Sequence, residues 1–397
     1  MPELTANTTP QRIAAIDIVR GFVMLVMALD HVRDYFYAGA GNPTNLATTT
    51  PILFFTRWIT HFCAPVFVFL AGTSAYLSGL KKSKQAFSIF LIKRGFWLIF
   101  VDLVLFNFAT TLNPAFNFIL FQVIWAIGCS MILLGLLVRT SLKIIVITGS
   151  ILFLAHNIFD YLPAPQPGPV AFLEKVFLTG FKFFYPLNNH ITLGFLYAVL
   201  PWAGVLFLGY GLGYLYQPGF NQQKRKKILL QIGIGTIAAF ILLRWINGYG
   251  DPAHWSVQKN ALFTLLSFLN TSKYPCSLLY LCMTLGPAIL ALGLLEGFTN
   301  RVARIFSVYG RVPLFYYLCH IYLIRLLNIF FFYATGFTNQ SIAGPHQLLY
   351  FRPATFGFSL PVVYLLWLCI IVALYFPSRW YDRYKSAHRY LWWTKYV

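Results

Sequence analysis

Apolar runs of about 20 residues recur along the whole chain, and this length matches the hydrocarbon core of a bilayer. Strands of a β-barrel would be half as long and would alternate in polarity, whereas these runs do not alternate. The sequence therefore predicts an all-α polytopic transmembrane bundle of about ten helices, or eleven if the long ninth run is broken rather than tilted. The runs are 15–34, 52–79, 87–109, 115–137, 142–160, 194–216, 228–247, 276–297, 305–333 and 359–377.

The composition supports a membrane protein. Only 10% of the residues are charged, against about 25% in ordinary soluble domains, so a soluble core could not be covered with a polar surface. This excludes a soluble globular enzyme, a disordered chain and a fibrous protein. Because we find neither a linker nor an inverted repeat of the transporter type, we expect one membrane domain over residues 1–397.

Basic residues outnumber acidic ones by 30 to 10, which gives a formal net charge of +20. Most of them lie in alternate gaps between the apolar runs, and the positive-inside rule assigns those gaps to the cytoplasm. The rule predicts cytoplasmic tails at 1–12 and 378–397, and no nucleic-acid partner is expected because the charge serves topology. The tails contribute Arg12, Arg379, Arg383, Lys385, Arg389 and Lys395.

Ionisable residues also occur inside the predicted helices, where each costs at least about 2.5 kcal/mol on insertion scales. They should therefore face the bundle interior in pairs, either as ion pairs that lock helices together or around a functional site. The predicted topology assigns Asp17, Arg20 and Arg311 to the cytoplasmic half, and His320 to mid-membrane. The outer half collects Asp30, His31, Arg33, Asp34, Arg57, His61, Asn157, Asp160, Arg244 and Asn247, and the loop beyond adds Tyr249, Asp251, Lys273 and Tyr274.

Two histidines of the outer half each have a charged neighbour at helical spacing. Asp34 follows His31 by three residues, and Arg57 precedes His61 by four. A carboxylate beside an imidazole fixes its tautomer and raises its basicity, as a general base requires. Structural hydrogen bonding is the other interpretation of these histidines. No HExxH or comparable ligand run occurs, so no metal is expected.

Two stretches near the N-terminus carry specific motifs. RIAAIDIVRGFVMLVMALDHVRDYF (12–36) contains a D-x-x-R-G-x-x-M element, and RWITHFCAPVFVFLAGTSAYLSG (57–79) contains a P-x-F-x-F-x-x-G element. Together they resemble the opening of the heparan-α-glucosaminide N-acetyltransferase-like catalytic domain family, in its bacterial branch. By this resemblance, His31 falls where the eukaryotic enzyme has a functional asparagine. The family's catalytic histidine, which lies between the first two helices, has no counterpart within residues 32–60.

The resemblance implies acyl transfer across a bacterial cytoplasmic membrane, from cytoplasmic acetyl-CoA to an amine or hydroxyl of an extracytoplasmic sugar or lipid-linked glycan. On this hypothesis one of the two histidines acts as general base, or carries the acyl group transiently. The catalytic candidates are His31, His61, Asp30, Asp34 and Arg57. The candidates for acceptor binding are Arg244, Asn247, Tyr249, Asp251, Lys273 and His320. The candidates for binding acyl-CoA are Asp17, Arg20, Arg94 and Arg311.

Two other functions remain open at this point. A polar cavity within the membrane would also suit a transporter or flippase of a polar or anionic solute. In a non-catalytic assembly protein, the charges would only hold helices together. The expected partners are membrane lipid, acyl-CoA and a glycan or small-molecule acceptor, and the sequence leaves a homodimer open.

Overall fold

The computed structural model describes residues 13–39, 41–163, 165–180, 183–342, 349–388 and 390–395. The predicted tail 1–12, with Arg12, lies outside the described residues, and so does Arg389. Within them the chain is mainly helical, as the apolar runs predict. The last helix continues to Ala387, so most of the described part of the predicted C-terminal tail is helical.

The helices follow the apolar runs and add short helices in the connecting loops. Their bounds are α1 Ala14–Phe36, α2 Pro51–Thr60, α3 Cys63–Gly79, α4 Lys84–Phe100, α5 Asn107–Thr111, α6 Val123–Leu137, α7 Leu142–Ala155, α8 Pro169–Glu174, α9 Val199–Leu212, α10 Gln222–Ile246, α11 Ala261–Leu269, α12 Leu278–Leu294, α13 Arg301–Arg311, α14 Pro313–Ala334 and α15 Leu360–Ala387. A π-helical segment, Val101–Phe106, joins α4 to α5.

Six helical stretches of the described residues are long and apolar enough to cross a membrane: Pro51–Gly79, Leu142–Tyr161, Val199–Tyr216, Gln222–Ile246, Pro313–Ala334 and Leu360–Ala387. Helices α6 and α12 are shorter but also apolar. Large apolar side chains on α10 and α15 point outward; Leu242 and Leu365, for example, are 61% and 60% exposed. Such a surface suits lipid contact. The count of ten helices and their orientation stay predictions.

Proline divides two of the predicted helices. The run 52–79 forms α2 and α3, because Pro65 has no N–H to donate to the carbonyl of His61; the hydroxyl of Tyr280 donates to that carbonyl instead, at 2.8 Å. The run 305–333 is broken at Val312, directly before Pro313, where the backbone has φ −126° and ψ 49°. The residue before a proline disfavours the helical region, which explains this break.

A small sheet at one end of the bundle was not expected from the sequence. Its strands are β1 Phe118–Phe121, β2 Phe183–Pro186 and β3 Thr192–Phe195, in the order β1-β3-β2. Strand β3 pairs in parallel with β1 and antiparallel with β2. The predictions that residues 115–121 and 194–198 are helical are therefore wrong. The two apolar runs concerned begin with short segments that contain phenylalanine, a residue enriched in strands.

Small residues allow α1 and α13 to approach closely. A methyl group at Gly21 would lie 1.8 Å from the carbonyl oxygen of Phe306, and one at Gly310 would lie 1.9 Å from that of Asp17. Glycine is thus required on both helices, as in other tightly packed membrane helices. This contact fixes α1 beside α13 and α14, with ionisable residues at both of its ends.

Candidate active site

A cavity of about 330 Å³, which we call the histidine cavity, lies beside the C-terminal half of α1. Strands β1 and β3 are parallel, so their C-terminal ends meet at one edge, and Gln122 and Tyr197 just beyond them line the cavity. Helices α2, α3 and α14 and the segment before α12 complete its wall. The acidic, basic and imidazole side chains that line it are Asp30, His31, Arg33, Asp34, Arg57 and Lys273.

An ion cluster forms one wall of the histidine cavity. Asp30 contacts Arg33 at 2.8 Å and Arg57 of α2 at 2.5 Å, and Arg33 also contacts Asp34 at 2.5 Å. Arg57 donates a further hydrogen bond to the hydroxyl of Thr60. These bonds hold α1 against α2 and keep the arginine side chains in fixed positions. The sequence placed Arg33 in the same outer group but did not name it as a site candidate, although its i, i+3 spacing from Asp30 indicates this contact.

His31 is hydrogen bonded to a second histidine. Nδ1 of His320 lies 3.2 Å from the carbonyl oxygen of Tyr316, and since a carbonyl only accepts, this nitrogen carries the proton. Nε2 of His320 then accepts from Nδ1 of His31, at 3.1 Å. In the neutral pair, Nε2 of His31 therefore keeps its lone pair. His320 is fully buried and His31 lines the cavity, so His31 is the member of the pair that a molecule in the cavity can reach.

Lys273 and two tyrosines form the opposite part of the wall. The hydroxyls of Tyr197 and Tyr274 lie 3.2 Å apart, and Nζ of Lys273 lies 5.1 Å from the centre of the Tyr274 ring. Among the described residues, no hydrogen bond or ion pair involves Nζ of Lys273. The sequence placed Tyr274 in the outer group with Lys273 but named only Lys273 as a site candidate; Tyr197 was missed, because its contact with Tyr274 depends on the fold.

A vestibule of about 320 Å³ adjoins the histidine cavity, and the two share Arg33, Asp34, Asn42 and Pro43. Its other polar side chains include Thr48, Thr49 and Arg352. Arg352 donates to the carbonyls of Asp34, Tyr37 and Phe356 and thereby fixes the last loop against the end of α1. The sequence assigned no role to Arg352, because nothing local links it to α1.

A third cavity, of about 220 Å³, lies beside the N-terminal half of α1, and we call it the cationic cavity. Arg20, Arg94, Arg311 and Lys385 line it together with an apolar wall that includes Met24. Three of these four were predicted to bind acyl-CoA, and Lys385 was expected in the tail. Asp17 lies 3.7 Å from Arg20 and 3.6 Å from Arg311.

The cationic cavity and the histidine cavity have three lining residues in common, Phe67, Val123 and Tyr317. We call these residues the collar. The ring of Tyr317 stacks on Phe106 with 4.5 Å between ring centres, and it also contacts His320 edge-on. The cationic cavity and the histidine cavity therefore lie next to each other, with the collar at their common boundary.

His61 lies outside both cavities. It is 3% exposed, and its Nδ1 has no hydrogen-bond partner among the described residues. Helix α2 ends at Thr60 and His61 caps it with a helical φ of −61° and ψ of −28°, so the face that it shares with Arg57 stays a prediction. Arg57 and Asp30 lie close enough to interact electrostatically with His61, but its side chain lines neither cavity.

Four predicted acceptor-binding residues support the outer loop instead of lining the histidine cavity. Arg244 is 1% exposed and donates to the carbonyls of Ala253, Ser267, Phe268 and Asn270. Asn247 and Tyr249 bond the backbone of Trp255 and Leu154, and Asp251 accepts from Ser272 and Ser277. These hydrogen bonds stabilise the loop that follows α10 and its contacts with neighbouring helices. We therefore do not retain the four residues in the site.

No group of three or more histidine, cysteine, aspartate or glutamate side chains within the described ranges is arranged to hold a metal ion.

Comparison with known proteins identifies a family to which the chain is similar. Residues 12–244 match the family model described as "Heparan-alpha-glucosaminide N-acetyltransferase, catalytic". The match covers more than half of the chain and includes α1, α2 and α3, whereas Lys273, Tyr317 and His320 lie beyond it. No curated protein matches the sequence significantly.

Proposed function

Since this chain belongs to the heparan-α-glucosaminide N-acetyltransferase catalytic family, we propose that it is a membrane-bound acyltransferase. It moves an acetyl group from cytoplasmic acetyl-CoA to an amine or hydroxyl of a sugar or lipid-linked glycan on the other side of the membrane. The observation that carries the proposal is that the cationic cavity and the histidine cavity adjoin at the collar. A transferase whose two substrates come from opposite sides of the membrane needs binding sites that meet inside it.

The cationic cavity fits the donor. Arg20, Arg94, Arg311 and Lys385 supply the charges that phosphate groups require, and Asp17 holds two of the arginines in place. The apolar wall suits the uncharged arm that ends in the thioester. The positive-inside rule assigns this end of α1 to the cytoplasm, where acyl-CoA is found.

His31 is the base in the proposed reaction. Nε2 of His31 removes the proton from the acceptor's amine or hydroxyl as that atom attacks the thioester carbonyl. The carbon–sulfur bond then breaks, and the proton passes from His31 to the departing thiolate of CoA. The hydrogen bond from His31 to His320 keeps the correct tautomer throughout, so His320 is a positioning residue. Arg57 lines the same cavity and is the candidate to stabilise the developing oxyanion.

The vestibule suits a polar acceptor. Its lining of asparagine, threonine, aspartate and arginine side chains offers the hydrogen bonds that sugar hydroxyls require, and it leads directly into the histidine cavity. By the positive-inside assignment, it opens on the side opposite the cationic cavity.

Purified protein in proteoliposomes tests the proposal. We expect it to bind acetyl-CoA and to transfer a labelled acetyl group to glucosamine trapped inside the vesicles, with charge reversal at Arg20 and Arg311 weakening the binding. Solute flux without acetyl transfer would instead support the transporter hypothesis. Failure to bind acetyl-CoA would exclude the proposed function.

A further inference from the structure

Two cationic groups around the histidine cavity have donors that the protein does not use. Nη1 of Arg33 is buried without a hydrogen-bond partner among the described residues, and the whole side chain is only 4% exposed. Lys273 is half-buried, and within those residues its ammonium group makes no hydrogen bond or ion pair. A buried guanidinium nitrogen without an acceptor is costly, and this is a reason to look for a ligand that supplies one.

The charges that line the histidine cavity do not balance. Its two carboxylates, Asp30 and Asp34, are both bonded by Arg33, and Asp30 is bonded by Arg57 as well. Three cationic side chains therefore face two carboxylates, and Lys273 is the one left over. The vestibule adds Arg352, whose hydrogen bonds go to uncharged carbonyls, and it brings a fourth cation beside the same two carboxylates. An electropositive, partly buried site of this kind attracts an anion.

The phosphates of acyl-CoA do not account for this excess of positive charge. The cationic cavity has its own four basic side chains, and only the apolar and tyrosine side chains of the collar are common to both cavities. Arg33, by contrast, lines both the histidine cavity and the vestibule. The unused hydrogen-bond donors of Arg33 and Lys273 therefore lie on the side of the collar where the acceptor sugar is proposed to bind.

We propose that the acceptor is an acidic sugar, whose phosphate or carboxylate group binds Arg33 and Lys273 while its nucleophile faces His31. This inference rests on the proposed function and defines the class of its acceptor. The anionic group accepts hydrogen bonds from Nη1 of Arg33 and from Nζ of Lys273, and it restores charge balance in the cavity. Charge-assisted bonds of this type are stronger than those of a neutral sugar hydroxyl.

Acetyl transfer to three amino sugars tests the inference: glucosamine, glucosamine 6-phosphate and muramic acid, which carries a carboxylate. We expect KM to be at least about tenfold lower for one of the two acidic sugars, as one charge-assisted hydrogen bond predicts. Lys273→Met should lower the ratio of KM for glucosamine to KM for the preferred acidic sugar by about tenfold, whereas Lys273→Arg should retain that ratio. Preference for the phosphate or for the carboxylate identifies which acidic group the site takes.

Lys259→Met is the matched control, because it removes the same charge from an exposed lysine of the outer loop that lines none of the three cavities. If all three sugars are acetylated with equal KM, the inference is wrong and the acyltransferase remains. A fall in kcat for every acceptor in Lys273→Met would assign Lys273 to the oxyanion and also overturn it. If no sugar is acetylated and acetyl-CoA does not bind, the proposed function itself fails.

Discussion

A histidine whose Nδ1 is engaged in a hydrogen bond has only Nε2 left for proton transfer, and this distinguishes the histidines near the outer end of the bundle. Nδ1 of His31 donates to His320, so the proton's location is fixed before any substrate arrives. Nδ1 of His61 has no such partner among the described residues, and that side chain lines neither cavity. The proposal of His31 as the base therefore depends on one hydrogen bond between residues 289 positions apart.

We expect His31→Ala to lower kcat for acetyl transfer by about 10²- to 10⁴-fold, the usual contribution of a general base. His61→Ala should keep kcat within a few-fold, although its buried position will lower thermal stability. Both values are measured as initial rates per folded protein in nanodiscs. Loss of transfer in His61→Ala with normal transfer in His31→Ala would reverse the assignment of the base.

The role of His320 is tested by a pair of substitutions. His320→Leu removes the acceptor of the His31 Nδ1 proton, so both tautomers of His31 become available and kcat should fall by about 10²-fold. His320→Gln offers a carbonyl oxygen to the same proton and should retain most of the activity. KM for acetyl-CoA should stay constant in both, because the pair lies beyond the collar. Equal losses in the two variants would point to a packing role only.

Helical spacing predicted part of this cluster and misassigned the rest, for reasons that particular residues make clear. Asp30 and Asp34 lie on one unbroken helix, so the spacing rule held and brought both to the cavity. His61 caps the end of α2, and its ring does not line the cavity even though Arg57 and Asp30 lie near it, which helical spacing could not show. Arg244 was grouped with the site by depth alone, since the sequence could not show that loop carbonyls surround its guanidinium.

At the scale of helices and strands, apolar periodicity predicted where helices occur better than where they begin and end. The segment before α6 pairs with β3 across 70 intervening residues, and such a pairing leaves no local pattern. This strand matters for the site, because β1 and β3 end where Gln122 and Tyr197 meet the histidine cavity. The missed sheet is therefore one reason that part of the cavity wall could not be predicted.

Close contact between α1 and α13 should make glycine at position 21 indispensable. Gly21→Ala places a methyl group 1.8 Å from a backbone oxygen, and such overpacking costs about 1–3 kcal/mol of unfolding free energy. Because Arg20 lies beside this contact, acetyl-CoA binding should weaken as well. The change in the free energy of unfolding is measured in mixed micelles, with circular dichroism as the probe of helix loss.

Gly235→Ala is the control for this contact. A methyl group at Gly235 of α10 meets no atom within 4 Å. The free energy of unfolding of this variant should therefore equal that of the wild type, or exceed it by up to about 1 kcal/mol because alanine has the higher helix propensity. Equal destabilisation of the two variants would show that the α1–α13 contact has no special role.

For the whole molecule, the proposed acyl-CoA site agrees with the orientation that the basic loops predict. The positive-inside rule predicts that the end of α1 with Asp17 faces the cytoplasm, and the cationic cavity lies at that end. The sequence could predict this polarity because it depends on summed charge in loops. It could not predict the collar, whose residues come from α3, α6 and α14.

The two-sided arrangement can be tested with single cysteines in a Cys369→Ser background, since Cys369 is the exposed native cysteine among the described residues. Ser78→Cys in the cationic cavity should react with a charged maleimide in inverted vesicles, and Thr48→Cys in the vestibule should react in right-side-out vesicles. Acetyl-CoA should protect only Ser78→Cys, because the collar separates the two compartments. Labelling of both cysteines from the same side would contradict a route that crosses the membrane, since both cavities would then open on one face.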